Sequence, residues 1–308
     1  MKPFPHTHTR PPRIAAAGAT LLAVAAAGLA APGTARSQPV SCPAVTVSTV
    51  ATAVIPFVDW AENLGFDAQG NLWVARLYRN EVQRYDSAGR VTATVPVTSP
   101  GAIRLGPDQL LYIVYGDNSV NLLPGHHDSG VVRFDPTAAT PVPETFVDGL
   151  SMANGAAFDA EGNLYVADTG SGVVRVRRDG TVDTEWSAQA KIFGVNGIAV
   201  HDDSIYTTVY LTPQGRLVQI PLADPSRQST TTDTPLADDL AVGPGGFLYT
   251  ATTSGTLLRV DPDSHASCSL LTRDPLAAVA TAPGSERDLM VATGRGDVLR
   301  VHLNDRVG

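Results

Sequence analysis

ANGAAFDAEGNLYVADTGSGVVRVRR, residues Ala153 to Arg178, is the stretch whose variants recur along the chain and decide the fold. Gly155 to Phe158 reads as a short apolar strand, Asp159 to Asn163 as a turn rich in Asp, Gly and Asn, Leu164 to Ala167 as a second strand and Val173 to Val176 as a third. One such unit cannot bury its own apolar faces, so the copies must pack on one another.

With Tyr165 as anchor, the same phase returns at Trp73, Tyr112, Tyr206, Tyr249 and Met290, at spacings of 39, 53, 41, 43 and 41 residues. Each anchor follows an apolar strand and a turn, as in ENLGFDAQGNLWVA (Glu62 to Ala75) and DDLAVGPGGFLYTA (Asp238 to Ala251). Six repeats of about four strands and no sustained helical periodicity predict an all-β, six-bladed β-propeller. The sixth repeat ends soon after its third strand, Val298 to Leu303, whereas the β-rich run Val45 to Val54 belongs to no repeat. That run is expected to supply the missing outer strand of the last blade and close the ring. Repeats one to five each leave room for a fourth strand of their own.

The organisation expected is a leader at 1–35, an N-terminal segment at 36–61 and one propeller domain at 62–308. Lys2, Arg10 and Arg13, the Ala-rich run Ile14 to Ala31 and the small residues Gly33-Thr34-Ala35 read as a secretory signal, which directs the chain outside the cytoplasm, to the periplasm or medium. A retained membrane anchor is the other reading of that run. Without the leader, 19 basic residues face 30 acidic ones, about −11. Such a charge disfavours nucleic acid or an anionic membrane as partner; a small-molecule substrate is the partner expected. Nothing in the sequence sets the oligomeric state, and a monomer is the default. Cys42 precedes the closing strand and Cys268 lies in the outer strand expected of the fifth blade, so an exported protein would join them; two free thiols are the alternative.

The first strand of each blade lines the channel, so equivalent positions form a ring. Four residues before Phe66, Leu105, Phe158, Val200, Val242 and Thr281 stand Glu62, Gly101, Asn154, Asn196, Asp238 and Ala277. Two carboxylates and two carboxamides with no Lys or Arg among them make an oxygen cage suited to a hard divalent cation, Ca²⁺ before Mg²⁺. Asn154-Gly155 and Asn196-Gly197 also read as plain turn signals. Arg76, Tyr115 and Asp168 end second strands and are candidates for the mouth. The long insertion Gly116 to Gly130 carries His126 and His127, read as a base for substrate or as solvated loop residues. Trp60 reads as packing. No G-x-S-x-G, H-E-x-x-H, Walker or dinucleotide motif is present.

The units ENLGFD, NGIAV and DDLAV, with G-N-L-Y/W-V after two of the repeats, resemble the gluconolactonase, regucalcin and luciferin-regenerating-enzyme family of six-bladed propellers. The resemblance implies that Glu62, Asn196 and Asp238 are metal ligands and that Asn154 contacts substrate or metal. The family's E-x-P-x-W is absent around Glu62, and Asp239 stands where the family has Gly. The activity implied is metal-dependent hydrolysis of a lactone or small ester, with Asp238 or Asp239 accepting the proton of a bound water. The alternative is a non-catalytic exported propeller that binds a ligand or protein partner; a lyase acting on a cyclic ester is a third possibility.

Overall fold

The computed structural model describes residues 42–304, so the leader expected at 1–35 and the first residues of the N-terminal segment lie outside them. Among the described residues no helix is long and apolar enough to cross a membrane. The strands form six antiparallel sheets. The first blade comprises Ala61–Phe66, Leu72–Arg76, Glu81–Tyr85 and Val91–Pro96 in sheet order from the channel outward. The second, fourth and fifth begin at Ile103–Leu105, Val195–His201 and Ala237–Val242 and repeat that order.

The sixth blade closes as the sequence predicts. Val45–Ala51 pairs antiparallel with Val298–Leu303, outside Asp288–Thr293 and Leu276–Thr281. It stops at Ala51 rather than Val54. The Ala53 amide turns to the Asp297 carboxylate at 2.8 Å, and the Val54 and Ile55 amides both donate to Asp59 Oδ2 at 2.7 Å. Cys42 and Cys268 are disulfide-bonded across 226 residues, tying the start of the closing strand to the outer strand of the fifth blade, Ser267–Thr272.

The third blade departs from expectation. It has three strands, Ala153–Phe158, Leu164–Asp168 and Gly172–Val176; where a fourth was expected, Val182 makes a single bridge to Val176 and Thr184–Ser187 is one turn of helix. Asp183 caps that turn by accepting from the Trp186 amide, and the Trp186 indole packs on Tyr165 at 5.1 Å. A buried Trp on a capped turn covers the blade edge that a strand covers elsewhere.

In the first three blades the recurring turn stitches the blade to its own anchor. Asp67 accepts from the Trp73 indole at 3.0 Å, Asp108 from the Tyr112 hydroxyl at 2.9 Å and Asp159 from the Tyr165 hydroxyl at 3.0 Å. Asp67 and Asp159 also accept from the backbone amides of Asn71 and Asn163. The conserved spacing within the chain thus satisfies a buried aromatic tip and a turn amide with one carboxylate. Apolar clusters between neighbouring blades supply the burial, for example Ala102, Val114, Val131, Ala153, Leu164 and Val166 between the second and third.

Candidate functional site

The ring residues owe their direction to a recurring defect in the inner strand. Pairing with the second strand slips between Ala61 and Asn63, Ala153 and Ala156, Val195 and Ile198, Ala237 and Asp239, and Leu276 and Ala278. Glu62, Asn154, Asn196, Asp238 and Ala277 sit in these bulges, which re-aim a side chain out of the normal alternation. Asn154-Gly155 and Asn196-Gly197 are therefore not turns. A Cβ on Gly155 would meet the Asn196 carbonyl oxygen at 2.4 Å, and one on Gly197 the Asp238 carbonyl oxygen at 2.7 Å, so glycine lets adjacent inner strands close on the axis.

Glu62, Asn154, Asn196 and Asp238 come together in one cavity of about 420 Å³ at the channel mouth. Gly101 and Ala277 leave gaps in the ring. Asp117, the second residue of the long insertion, fills the first: it is buried and accepts from Asn154 Nδ2 at 3.0 Å. Trp60 takes the sixth sector. A Cβ on Gly294 of the last blade would lie 2.5 Å from its ring, and its indole donates to Glu62 Oε2 at 2.6 Å. Trp60 thus orients a ring carboxyl rather than merely packing.

No Lys, Arg or His lines this cavity. Burial raises the Glu62 carboxyl well above the usual range, the negative charges of Asp238 and Asp117 push it further, and the Trp60 N–H opposes them. Burial carries Asp117 to about 7 against the hydrogen bonds of Glu62 and Asn154. Asp238 is raised by burial and then by Asp117 and Asp239, with the Asn196 side chain opposing. The Asn196 Oδ1, on a residue 8% exposed, has no hydrogen-bond partner. A floor of this kind lacks positive charge. Among the described residues, no three His, Cys, Asp or Glu side chains stand close enough to hold an ion by themselves. A cation here would need the carboxamide oxygens as well as the carboxylates, and the orphaned Asn196 oxygen meets that need.

The other expected residues lie elsewhere. Asp239 turns down the channel: its Oδ2 accepts from Asn63 Nδ2 at 3.0 Å and its Oδ1 lies 3.6 Å from Arg104, so it faces away from the mouth. Arg76 is buried in the seam between first and last blades, donating to the Asp59 and Gly296 carbonyls at 2.6 Å and to the Tyr85 hydroxyl at 2.5 Å. Asp168 caps the Ser151 and Met152 amides at 2.9 Å. Tyr115 lies against Asp128 and Asp148, and burial, with those two charges, raises its hydroxyl. His126 and His127 are exposed and line no part of the cavity. The insertion contributes Asp117, Asn118 and Ser119 at its start instead. Its signal in the sequence is position: Asp117 follows a second strand directly, beside the ring position that Gly101 leaves bare. A cavity of about 560 Å³ on the opposite face, between the fifth and sixth blades, has Glu286 and Arg287 but no buried titratable group.

No protein-family model matches the chain, and no curated protein matches its sequence. Solved structures match it in fold. A gluconolactonase from Xanthomonas campestris superimposes with a TM-score of 0.68 at 14% identity, over 86% of this chain and 95% of its own. The PQQ-bound aldose sugar dehydrogenase from Streptomyces coelicolor gives 0.65 at 18%, over 86% and 99%. A virginiamycin B lyase from Staphylococcus aureus, solved with quinupristin, gives 0.58 at 9%, over 84% and 99%. Three chemistries on one architecture mean that function has to be argued from the mouth. What the comparisons establish is the fold: this chain is a six-bladed β-propeller of the arrangement found in gluconolactonases.

Proposed function

We propose that the protein is an exported, metal-dependent hydrolase of a lactone or small cyclic ester, with its divalent cation, Ca²⁺ by preference, at the channel mouth. Glu62, Asn196 and Asp238 would hold the ion, with Asn154 and Asp117 beside them. The observation that carries this reading is the unpartnered Asn196 oxygen, buried among carboxyls and facing no basic side chain. When bound, such a cation polarises a carbonyl oxygen and acidifies a water.

The chain's own residues account for the rest. Trp60 fixes the Glu62 carboxyl through its indole N–H, and Asn154 fixes Asp117 through its amide. Asp238 is the proton acceptor in this reading, and Asp117 is a second carboxyl on the same floor. Asp239, engaged by Asn63 and Arg104, balances the Arg104 charge within the channel and takes no part. The test is hydrolysis of γ-butyrolactone and glucono-1,5-lactone with calcium or with chelator. Turnover that requires the metal and is lost in Asp238→Asn supports the reading; equal turnover in chelator overturns it.

A further inference from the structure

Among the described residues twelve large apolar side chains are exposed, and all but Val91 and Val142 stand on the connections that surround the mouth. The cavity wall continues this belt inward with Trp60, Leu77, Tyr78, Met152 and Tyr210. Trp60 and Tyr78 meet edge to face at 6.2 Å. Several of the polar groups around this wall are already engaged. The Trp60 N–H donates to Glu62, the Tyr210 and Thr253 hydroxyls bond each other at 2.9 Å, and the Asn118 oxygen accepts from the Val120 amide. The wall therefore offers mostly ring faces and alkyl surface, with the Tyr78, Ser99 and Ser119 hydroxyls at its edge, while the floor offers carboxyl and carboxamide groups.

A polyhydroxylated ligand would press several of its hydroxyls on the ring faces and alkyl surface of Trp60, Leu77, Met152 and Tyr210, which cannot replace the water those hydroxyls lose. An anionic one would meet the Glu62, Asp117 and Asp238 carboxyls with no basic side chain to offset them. On the lactone hydrolase reading above, we propose that the substrate is an uncharged lactone or cyclic ester carrying an alkyl or aryl body. Its carbonyl lies on the acidic floor and its body on the Trp60, Tyr78, Met152 and Tyr210 wall. Each methylene that the wall fully covers strengthens binding by up to about fourfold.

The experiment compares γ-butyrolactone, γ-octalactone, γ-decalactone and glucono-1,5-lactone on the calcium-loaded protein by kcat/KM. In parallel, binding of the matching γ-lactams is read from tryptophan emission. Trp60 is the tryptophan at the mouth; Trp73 and Trp186 are buried in blades. The expected result is a rise of about tenfold or more from butyro- to octalactone, with tighter lactam binding in the same order. Tyr78→Ser, a change at a residue 62% exposed and so tolerated by the fold, should flatten that rise, and Val142→Ser on the other face should not. Glucono-1,5-lactone turned over as well as decalactone, or a slope unchanged in Tyr78→Ser, overturns the inference and leaves the hydrolase reading standing. Chain-length-dependent lactam binding without turnover of any lactone retains the ligand class and overturns the hydrolase reading. Neither binding nor turnover overturns both.

Discussion

Asp117 of the second blade accepts a hydrogen bond from Asn154 Nδ2 of the third at 3.0 Å, and this contact brings a carboxylate off the repeat into a ring built by it. Burial and neighbouring acids make the ion-free floor self-repelling, so Asp117→Asn should have opposite effects on stability and on binding. Without metal at pH 8 the variant should melt several degrees higher than the parent, because a costly buried charge is gone. Its calcium affinity should fall about tenfold or more. Calorimetric melting and titration read both; a variant that loses stability and keeps affinity would make Asp117 structural.

The pH dependence follows from the same groups. Glu62, Asp117 and Asp238 have carboxyls raised on folding, Asp117 to about 7. Between their unfolded range near pH 4 and those raised values, the folded state binds more protons than the unfolded one, so stability falls as pH rises. The metal-free protein should therefore have a lower Tm at pH 8 than at pH 5, with the decline running through about pH 7. Saturating calcium should lift the pH 8 value most. Thermal scans from pH 5 to 8 with and without chelator test the sign, and a metal-free Tm that rises across that range contradicts it.

Gly294 gives access to Trp60 without touching the ring. A Cβ there would stand 2.5 Å from the indole Cζ3, so Gly294→Ala should push the indole from the sixth sector and weaken its bond to Glu62. Stability should change by less than about 1 kcal/mol, since Trp60 is only half-buried. Calcium affinity and any lactone turnover should fall together. Quenching of tryptophan emission by acrylamide would report the displaced ring.

Closure depends on Cys42–Cys268 and on Val45–Ala51. Cys268→Ser should cost up to about 5 kcal/mol by the loop-entropy argument, and hydrogen exchange should show residues 45–51 opening before the other blades. Removing residues 42–54 should leave Val298–Leu303 as a bare sheet edge, read out as self-association. A monomeric truncation with unchanged Tm would place the closure elsewhere.

The repeats made the blades, the closing strand and the disulfide partners legible, because a fixed period maps sequence position directly onto place in the ring. Glu62, Asn154, Asn196 and Asp238 were legible for the same reason, since a bulge recurring at one repeat position aims all four at the axis. Asp117 belongs to no repeat and enters through an insertion, where no equivalent position in the other blades marks it. Arg76 shows the limit of reading a strand end: position along the strand gives the height of a residue, while the pleat and its bonding partners decide which way the side chain points. Asp239, one residue from a ring position, falls on the opposite side of the bulge and meets Arg104. The missing fourth strand of the third blade was hidden because Asp183 and Trp186 build a capped turn too short to leave a helical period.

The proposed chemistry requires that the oxygen floor hold a cation. Titrating calcium into the chelator-treated protein by isothermal calorimetry should give one site with a Kd in the range of roughly 10⁻⁵ to 10⁻³ M. Glu62→Gln and Asp238→Asn should each abolish the signal, while His127→Ala leaves it unchanged. No heat of binding in the parent protein, or the same binding in both carboxylate variants, would contradict it.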